Sequence, residues 1–299
     1  MRVAVSAASG LIGSAVVREL AGGGADVVRL VRRPPRSSAE IGWQPDAAAG
    51  GLEPAALRGV DAVIHLSGAP VAGRRWTPAR KELLRSSRIR STATLAAAMA
   101  AAEPRPGVLL CASAIGYYGD TAHQAVDENA PPGEGFLAGL VRDWEAAADP
   151  ARAAGLRVAS FRSGLVLTPG GGLLGRLLLP FRLGAGARIG SGQQYMSWIS
   201  VADEVRAIRF LLESPDAAGP YNLTAPAPVT NAEFTRALAS AVRRPALLTL
   251  PAWALRAVLG EVASELLGSA RVLPARLQAA GFTFEHPDIG TALGALLAR

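Results

Sequence analysis

The chain has 299 residues, of which half are hydrophobic and 18% are charged, and this composition excludes wholesale disorder. The single cysteine, Cys111, excludes an internal disulfide and a cysteine-rich metal site, and three scattered histidines make a catalytic zinc centre unexpected. The net charge of +7 is weak evidence for an anionic ligand and weaker evidence for nucleic acid. No apolar run is long enough to span a bilayer, and we expect a cytoplasmic protein.

Strands and helices alternate along the first 165 residues. The predicted strands are short apolar runs, over 2–6, 27–31, 62–68, 108–114 and 157–161. The predicted helices carry apolar residues at helical spacing, over 12–22, 77–102 and 135–154. Thr77 suits the N-cap of the second helix, with Pro78 in its first turn. This alternation predicts an α/β fold with a Rossmann-type, doubly wound parallel sheet.

The alternation ends after residue 165, where we expect a cofactor-binding domain (1–165) to give way to a small C-terminal substrate lobe (166–299). Segments 195–201 and 220–224 resemble late strands of the sheet, and helical patterns dominate from about residue 231. Thr230 and Glu233 suit a capping box. The predicted helices of the lobe lie over 231–243, 251–268 and 272–280. The glycine-rich segment 184–192 is either a substrate lid or a plain surface loop.

The most informative local pattern is Ser6-Ala-Ala-Ser-Gly-Leu-Ile-Gly13, which follows the first strand and opens the first helix. Gly10 would let a dinucleotide pyrophosphate approach the backbone, and Gly13 would allow close packing of helix and strand. Ala7 replaces the first glycine of the usual triplet, so we expect a negative φ there. An ordinary tight turn is the alternative. The candidate cofactor-binding residues of this loop are Ala8, Ser9, Gly10, Leu11, Ile12 and Gly13.

Two arginines, Arg32 and Arg33, follow the second predicted strand. A site for NAD usually places an acidic residue there to hold the ribose 2′-hydroxyl, and none lies between Arg29 and Arg36. Guanidinium groups match the 2′-phosphate of NADP instead, so the pattern favours NADP(H). A solvated basic loop is the alternative, because arginine is abundant in this chain.

Five segments spread along the chain carry a resemblance. They are Ala8-Ser-Gly-Leu-Ile-Gly13, Val60-Asp-Ala-Val-Ile-His-Leu-Ser-Gly68, Ser113-Ala-Ile-Gly-Tyr-Tyr-Gly119, Arg162-Ser-Gly-Leu-Val-Leu167 and Trp198-Ile-Ser-Val-Ala-Asp-Glu204. Together they resemble the extended short-chain dehydrogenases/reductases, and more narrowly the atypical, epimerase-like bacterial subgroup with a conserved C-terminal helical domain. The counterpart of that domain here lies over 255–261, 266–274 and 280–284. The resemblance implies an NADP-type cofactor across the carboxyl ends of the strands and a substrate pocket under the lobe.

The resemblance also implies cofactor contacts outside the glycine loop. Leu66, Ser67 and Gly68 match the segment that passes beside the adenosine and phosphates. Arg88 matches a helix position that can reach the cofactor, and Val166 matches a segment near the nicotinamide. Each has an alternative: Leu66 and Val166 could be ordinary core residues, and Arg88 could belong to a solvated basic helix face.

The proton relay of the family is missing from this chain. Working members of the extended group use a serine or threonine, a tyrosine and a lysine, but the serine position here is Ala114 and the window 136–141 has neither tyrosine nor lysine. Substitute catalytic residues would be Tyr117 and Tyr118 with Ser113, although Ser113 points to the opposite face of its strand. Alternatively, both tyrosines are structural.

These patterns leave two main functions open. The first is an NADP(H)-dependent oxidoreductase or epimerase acting on a small polar substrate. The second is a non-catalytic NADP(H)-responsive sensor or assembly protein, and nucleic-acid binding is a third hypothesis based on charge alone. We expect a small-molecule substrate, no metal, no membrane partner and no nucleic acid, with a homodimer as an open alternative.

Overall fold

The computed structural model describes residues 1–47, 50–71 and 75–298. Its strands are β1 (Arg2–Ser6), β2 (Asp26–Val31), β3 (Glu40–Gly42), β4 (Ala62–His65), β5 (Val108–Ala114), β6 (Ala125–Val126), β7 (Arg157–Ser163), β8 (Leu165–Leu167), β9 (Ala187–Ile189), β10 (Tyr195–Met196), β11 (Trp198–Ser200), β12 (Gly219–Leu223), β13 (Val229–Thr230), β14 (Leu248–Leu250) and β15 (Arg271–Val272). Its α-helices are α1 (Leu11–Gly22), α2 (Pro78–Ala101), α3 (Phe136–Ala146), α4 (Asp149–Ala153), α5 (Gly172–Arg182), α6 (Val201–Glu213), α7 (Asn231–Val242), α8 (Ala252–Leu259), α9 (Val262–Leu267), α10 (Ala275–Ala279) and α11 (Ile289–Leu297).

Seven parallel strands form the central sheet, in the order β12-β7-β5-β4-β1-β2-β3. The chain moves from β1 outward to β3, then returns to the other side of β1 with β4 and moves outward again. This arrangement confirms the predicted Rossmann-type, doubly wound α/β fold. The order of the strands reverses between β1 and β4, and open parallel sheets bind ligands in the crevice at such a point.

Helices cover both faces of the sheet, because alternate side chains of each strand point to opposite sides. Val3 and Val5 of β1 pack in one buried cluster with side chains of α1 and α6, whereas Ala4 packs in the other with side chains of α2 and α4. The strands β4 and β5 are buried on both faces. Burial on both faces explains why their sequences are continuous apolar runs.

Two long predicted helices are each broken. The segment predicted as one helix over 135–154 forms α3 and α4, because Pro150 has no N–H and begins a new first turn. The segment 251–268 forms α8 and α9, separated at Gly260, whose φ of 61° an α-helix does not contain. The predicted helix over 272–280 is shorter than expected, since β15 occupies its start and only α10 is helical.

Several elements were not predicted. The stretch that forms α5 buries Leu174, Leu178 and Phe181, which are spaced for one helix face. Helices α6 and α11 were also missed as complete elements. The late strands expected over 195–201 do not join the central sheet, because β10 pairs with β13 and β11 pairs with β8. Only β12, close to the predicted 220–224, adds to the sheet beside β7.

The last part of the chain is fastened to the helix α6. Phe282 lies in the same buried cluster as the sheet and contacts Phe210 of α6, with ring centroids 5.6 Å apart. The carboxylate of the fully buried Asp203 accepts hydrogen bonds from the backbone N–H groups of Glu285 (2.8 Å) and His286 (2.9 Å). The capping box predicted at Thr230 is present at the start of α7. Within the described ranges, none of the helices has both the length and the apolar character needed to cross a membrane.

Candidate functional site

The glycine loop lies at the carboxyl end of β1, beside the crevice between β1 and β4. Helix α1 begins directly after Gly10, and no side chain caps its first turn. The N–H groups at the start of α1 are therefore free of a side-chain cap, and the positive end of the helix dipole lies at the same place. Gly13 is buried, whereas Ser9, Gly10 and Leu11 are exposed at the mouth of the crevice.

The absence of a side chain at Gly13 permits the tight turn. A Cβ atom there would lie 2.2 Å from the carbonyl oxygen of Ala7, far inside any permitted contact. A Cβ at Gly10 would lie 3.2 Å from the same oxygen, and the N–H of Gly10 donates to it over 2.9 Å. The Ala7 carbonyl is thus enclosed by both glycines, which agrees with the close packing predicted at Gly13.

The prediction of a negative φ at Ala7 is wrong. Ala7 has a φ of 49°, in the left-handed region, because the chain must turn sharply to bring its carbonyl under the start of α1. An L-residue with a Cβ atom loses roughly 1–2 kcal/mol in this conformation, and glycine does not. The loop therefore keeps the geometry of the usual triplet and stores backbone strain at its first position.

Replacing Ala7 with glycine should stabilise the protein by roughly 0.5–1 kcal/mol, because relief of the left-handed strain exceeds the entropy that glycine adds to the unfolded chain. Urea titration measures the change. The matched control is Ala15→Gly within α1, where the same substitution should destabilise by about 1 kcal/mol. A loss of stability in both variants would contradict the strain at Ala7.

A buried polar chain joins the ends of β1 and β4. Ser6 Oγ accepts from the backbone N–H of Leu66 over 2.9 Å and lies 3.1 Å from Ser67 Oγ and 2.9 Å from His65 Nδ1. The other ring nitrogen of His65 contacts Ser91 Oγ, which itself donates to a backbone carbonyl of α2. This pattern assigns the proton of His65 to Nε2, and burial lowers its pKa to about 3, so the ring is neutral. The segment 66–68 is thereby held beside the glycine loop.

Arg88 is buried and not part of a solvated helix face, so that alternative is wrong. Its guanidinium lies against Gly68, where a Cβ would come within 3.0 Å of it, and stacks 5.1 Å from the ring centroid of Trp144. One nitrogen donates to the carbonyl of Leu84. Burial lowers the pKa of Arg88 to about 10, which still leaves a full positive charge at neutral pH. A charge therefore sits directly behind the exposed backbone of Gly68.

The two arginines after β2 differ in their surroundings. Arg33 makes a forked pair with Glu40, with distances of 2.8 and 2.7 Å to the two carboxylate oxygens. This hydrogen bonding lowers the pKa of Glu40 to about 2. Arg32 is exposed. Sequence reasoning missed Glu40, which lies seven residues after Arg33 and comes back beside it because β3 pairs with β2.

Val166 lies in the middle of β8, just beyond the carboxyl end of β7, and is half-buried against the cluster that holds α1 and α6. The turn after β8 reaches the glycine loop, since a Cβ at Gly171 would lie 3.0 Å from the side chain of Leu11. The structure thus brings the loop, the segment 66–68, Arg88 and the β8 region to one edge of the sheet.

A buried ion pair occupies the edge of β5 and β7, where the family places its proton relay. Arg162 makes a forked pair with Glu145 of α3, with both distances at 2.8 Å, and Ser113 Oγ donates to the same carboxylate over 2.6 Å. Arg162 also donates to the hydroxyl of Tyr118 over 2.9 Å, and that hydroxyl donates to the amide oxygen of Asn222 over 2.8 Å. Burial tends to lower the pKa of Arg162, but the bonds to Glu145 hold it above its usual value.

Two of the three predicted catalytic residues are held within this network. Burial raises the pKa of Tyr118 to about 12, although its bonds to Arg162 and Asn222 act in the other direction. Ser113 is almost fully buried and faces α3. Tyr117 differs, because it is half-buried and its ring stacks on the guanidinium of Arg162 at 3.4 Å. Of the two tyrosines, Tyr117 is therefore the one whose side chain remains partly exposed at the edge of the sheet.

Another buried carboxyl group, that of Glu204, lies beside the end of β7. Glu204, in the first turn of α6, is fully buried and accepts from Ser163 Oγ over 2.6 Å, while its other oxygen has no partner in the described part of the chain. Burial raises its pKa to about 8. The group is therefore mostly neutral at pH 7, as an unpaired buried carboxyl must be.

The stability of the protein should fall by about 2 kcal/mol between pH 6 and pH 8 because of Glu204. The folded protein holds this proton up to about pH 8, whereas the unfolded chain releases it near pH 4.5, so folding is weakened as the pH rises through that window. Urea titrations at several pH values measure the slope. Glu204→Gln should flatten it, and an unchanged slope in that variant would contradict the assignment.

Sequence reasoning missed Glu145, Asn222 and Glu204 as site residues. Asn222 is a polar residue within the short apolar strand β12, and that pattern is a signal for it. Glu145 and Glu204 lie in helices with several other charged residues, so no sequence pattern distinguishes them. The sequence does not reveal the partners of these residues, because the partners are distant in the chain: Tyr118 and Asn222 are 104 positions apart.

Comparison with known proteins adds to this geometry. The model of the NAD-dependent epimerase/dehydratase family matches residues 3–224, and a domain of unknown function (DUF1731) matches residues 250–296. An epimerase family protein of Mycobacterium bovis is 51% identical over 293 residues, covering 98% of this chain and 96% of that protein. The crystal structure of the human epimerase family protein SDR39U1 with NADPH matches with a TM-score of 0.90 and 34% identity, covering 99% of both chains.

More distant structures share the fold alone. The UDP-N-acetylglucosamine 4-epimerase of Bacillus cereus matches with a TM-score of 0.79 at 16% identity, covering 99% of this chain and 98% of that one. The shared architecture includes the crevice between β1 and β4, which is a property of the fold and not of one chemistry.

Proposed function

The chain belongs to the NAD-dependent epimerase/dehydratase family, and from that premise we propose that it binds NADP(H) at the β1–β4 crevice and acts on a small polar substrate as an oxidoreductase or epimerase. The observation that carries the proposal is the uncapped start of α1 above a carbonyl enclosed by two glycines. Backbone N–H groups and the helix dipole at this place suit a pyrophosphate. A cytoplasmic location is part of the same proposal.

The residues at the edge of the sheet fit this cofactor. Ala8 to Gly13 would hold the pyrophosphate through the backbone, and Leu66, Ser67 and Gly68 would lie along it, with the positive charge of Arg88 behind them. Val166 would border the nicotinamide end. When bound, the nicotinamide supplies or accepts a hydride. The resemblance in sequence and the NADPH found in the human relative both support NADP(H).

Arg32 and Arg33 would bind the 2′-phosphate that distinguishes NADPH from NADH. The double variant Arg32→Ala, Arg33→Ala should lose roughly 10–100-fold in affinity for NADPH, because its charge-assisted hydrogen bonds to the 2′-phosphate are removed. The affinity for NADH should be unchanged, because NADH has no 2′-phosphate. Titration calorimetry with both cofactors measures this. Equal losses for the two cofactors would contradict the assignment.

A variant of Glu40 tests the same assignment, with the opposite expected change in affinity for NADPH. It neutralises Arg33 through a forked pair, so a bound 2′-phosphate must compete with its carboxylate. Glu40→Gln should therefore raise the affinity for NADPH several-fold and have no effect on NADH. An unchanged affinity for NADPH would show that Arg33 remains with residue 40 when the cofactor binds.

Tyr117 is the candidate acid in a catalytic mechanism. Its hydroxyl would give a proton to a substrate oxygen as hydride moves to the adjacent carbon, or take that proton in the reverse direction. The stacked guanidinium of Arg162 favours the negative charge that develops on the phenol oxygen. Tyr118, with a pKa of about 12, would instead hold the network in place as a donor to Asn222.

One observation favours the alternative function, an NADP(H)-responsive sensor or assembly protein. Ser113 and Tyr118, which were predicted to substitute for the missing relay, both hold a buried ion pair in place. A screen of carbonyl compounds and sugar nucleotides, followed at the absorbance of NADPH, separates the two functions. Turnover that disappears in Tyr117→Phe but remains in Tyr195→Phe supports catalysis. Tight NADPH binding without turnover supports the sensor.

A further inference from the structure

The most exposed apolar side chains among the described residues lie mainly in two segments of the C-terminal part, 179–183 and 247–258. Among the described residues, ten large hydrophobic side chains are strongly exposed, and seven of them lie between Leu179 and Val258. Four of these are at least 70% exposed: Leu183, Leu247, Trp253 and Val258. Single exposed apolar residues are ordinary on a protein surface, but a cluster marks a place of contact.

Contacts within the fold bring the segments that carry these residues together. Leu179 and Leu183 lie one turn apart at the end of α5, and a Cβ at Gly186 would lie within 3.0 Å of both Phe181 of α5 and Ala246. Strand β9 then pairs with β14, which follows Leu247 directly. Helix α8, with Trp253, begins two residues after β14. We call this surface, from the end of α5 through β14 to α8, the arginine face.

The charges carried by the segments that form this surface all have one sign. Segments 172–200 and 234–260 contain no acidic residue, and their basic residues are Arg176, Arg182, Arg188, Arg236, Arg243, Arg244 and Arg256. Seven charges equal the net charge of the whole chain, so the remainder is balanced, with 24 basic and 24 acidic residues. In the described ranges, none of the seven arginines forms a salt bridge, whereas arginines elsewhere do so repeatedly.

We propose that the arginine face docks on an anionic phospholipid surface. Exposed Trp and Leu side chains with arginines around them suit the boundary between headgroups and acyl chains, where the apolar groups insert and the guanidinium groups bind phosphate. These side chains are highly exposed, which suits their insertion among lipid headgroups. A second copy of the chain is unfavourable here, because it would bring seven charges of the same sign.

This docking needs no membrane-spanning helix. The prediction of no membrane partner followed from the lack of a long apolar run. Interfacial binding depends instead on how apolar and basic side chains are distributed over the surface. The strength of such binding falls with ionic strength, since each guanidinium near the surface acts over about one Debye length.

Sedimentation with vesicles tests the proposal on the full chain. We expect binding to vesicles of phosphatidylcholine and phosphatidylglycerol in equal parts, weakening at high salt, and little binding to phosphatidylcholine alone. The variant Arg182→Ala, Arg243→Ala, Arg244→Ala should lose about 100-fold in partition coefficient, at roughly fivefold for each arginine. Trp253→Ser should lose about tenfold, as an inserted aromatic side chain is removed.

A matched control distinguishes vesicle binding through the arginine face from binding that depends only on the net charge of the protein. Arg18→Ala, Arg58→Ala, Arg90→Ala removes three exposed arginines elsewhere and should bind vesicles within about twofold of the original protein. Equal losses in the two triple variants would overturn the proposal, and so would equal binding to both kinds of vesicle. Salt-dependent binding to duplex DNA without vesicle binding would also overturn it in favour of a nucleic acid. An unchanged melting temperature and NADPH affinity in each variant confirms that the fold is intact.

Discussion

Replacing Glu145 with alanine should lower the free energy of unfolding by about 3–5 kcal/mol, because it leaves the guanidinium of Arg162 buried without its carboxylate. The side chain of Arg162 is only 3% exposed and that of Glu145 is 15% exposed, so water cannot replace the lost partner. The bond of Ser113 to the same carboxylate is lost as well. Urea titration at pH 7 measures the change.

The control is an ion pair at the surface whose nitrogen and oxygen atoms are the same distance apart. Arg209 and Glu213 approach to 2.8 Å, as Arg162 and Glu145 do, but both side chains are exposed. Glu213→Ala should therefore cost several times less than Glu145→Ala. Removing both charges with Glu145→Leu and Arg162→Met together should recover much of the stability lost in Glu145→Ala, since no unpaired charge remains. If Glu145→Ala costs no more than Glu213→Ala, the pair is not desolvated.

Gly13→Ala should have the second large effect, on both stability and cofactor binding. The new Cβ would lie 2.2 Å from the carbonyl oxygen of Ala7, so the loop or α1 must move, at a cost of about 3 kcal/mol. The N–H groups of the loop then no longer converge, and the loss of one or two charge-assisted bonds lowers the affinity for NADPH by roughly 10–100-fold. Urea titration and calorimetry measure the two effects.

A glycine at the other end of the same helix provides the control. Gly22 has no atom within 4 Å of its would-be Cβ, so Gly22→Ala should stabilise α1 by roughly 0.5–1 kcal/mol and leave NADPH binding unchanged. Normal NADPH affinity in Gly13→Ala would show that the cofactor does not depend on this turn. The same result would remove the main support for the proposed function.

The fold could be predicted from the sequence where local signals agree. The inner strands β1, β4, β5 and β7 are largely buried on both faces, which gives continuous apolar runs, and their positions matched closely; β5 was predicted at its observed limits, Val108–Ala114. The N-cap at Thr77 and the capping box at Thr230 also follow from side chains that act within four residues. Where one residue interrupts a helix, as Pro150 and Gly260 do, the break was missed because the flanking pattern continues.

The site was less predictable because its polar contacts join distant parts of the chain. The glycine loop was found from its own residues, but the left-handed conformation of Ala7 depends on the position of α1. Glu40 neutralises Arg33 only because β3 returns beside β2. For Arg88 the sequence left a solvated basic helix face open as the alternative to a cofactor contact, and only its packing against Trp144 shows that it is buried. Sequence patterns report local geometry, and none of these contacts is local.

The attachment of the last residues to α6 has a consequence for how the molecule comes apart. Phe282 lies in the hydrophobic cluster that covers the sheet, and Asp203 binds the backbone just beyond it, so residues 282–286 help to cover strand β1, more than two hundred residues earlier in the chain. Deleting residues 282–286 should therefore expose the hydrophobic cluster on this face of the sheet. We therefore expect the chain to melt in one cooperative step, and the first half to reach full protection from proteases only after residues 282–286 have been synthesised.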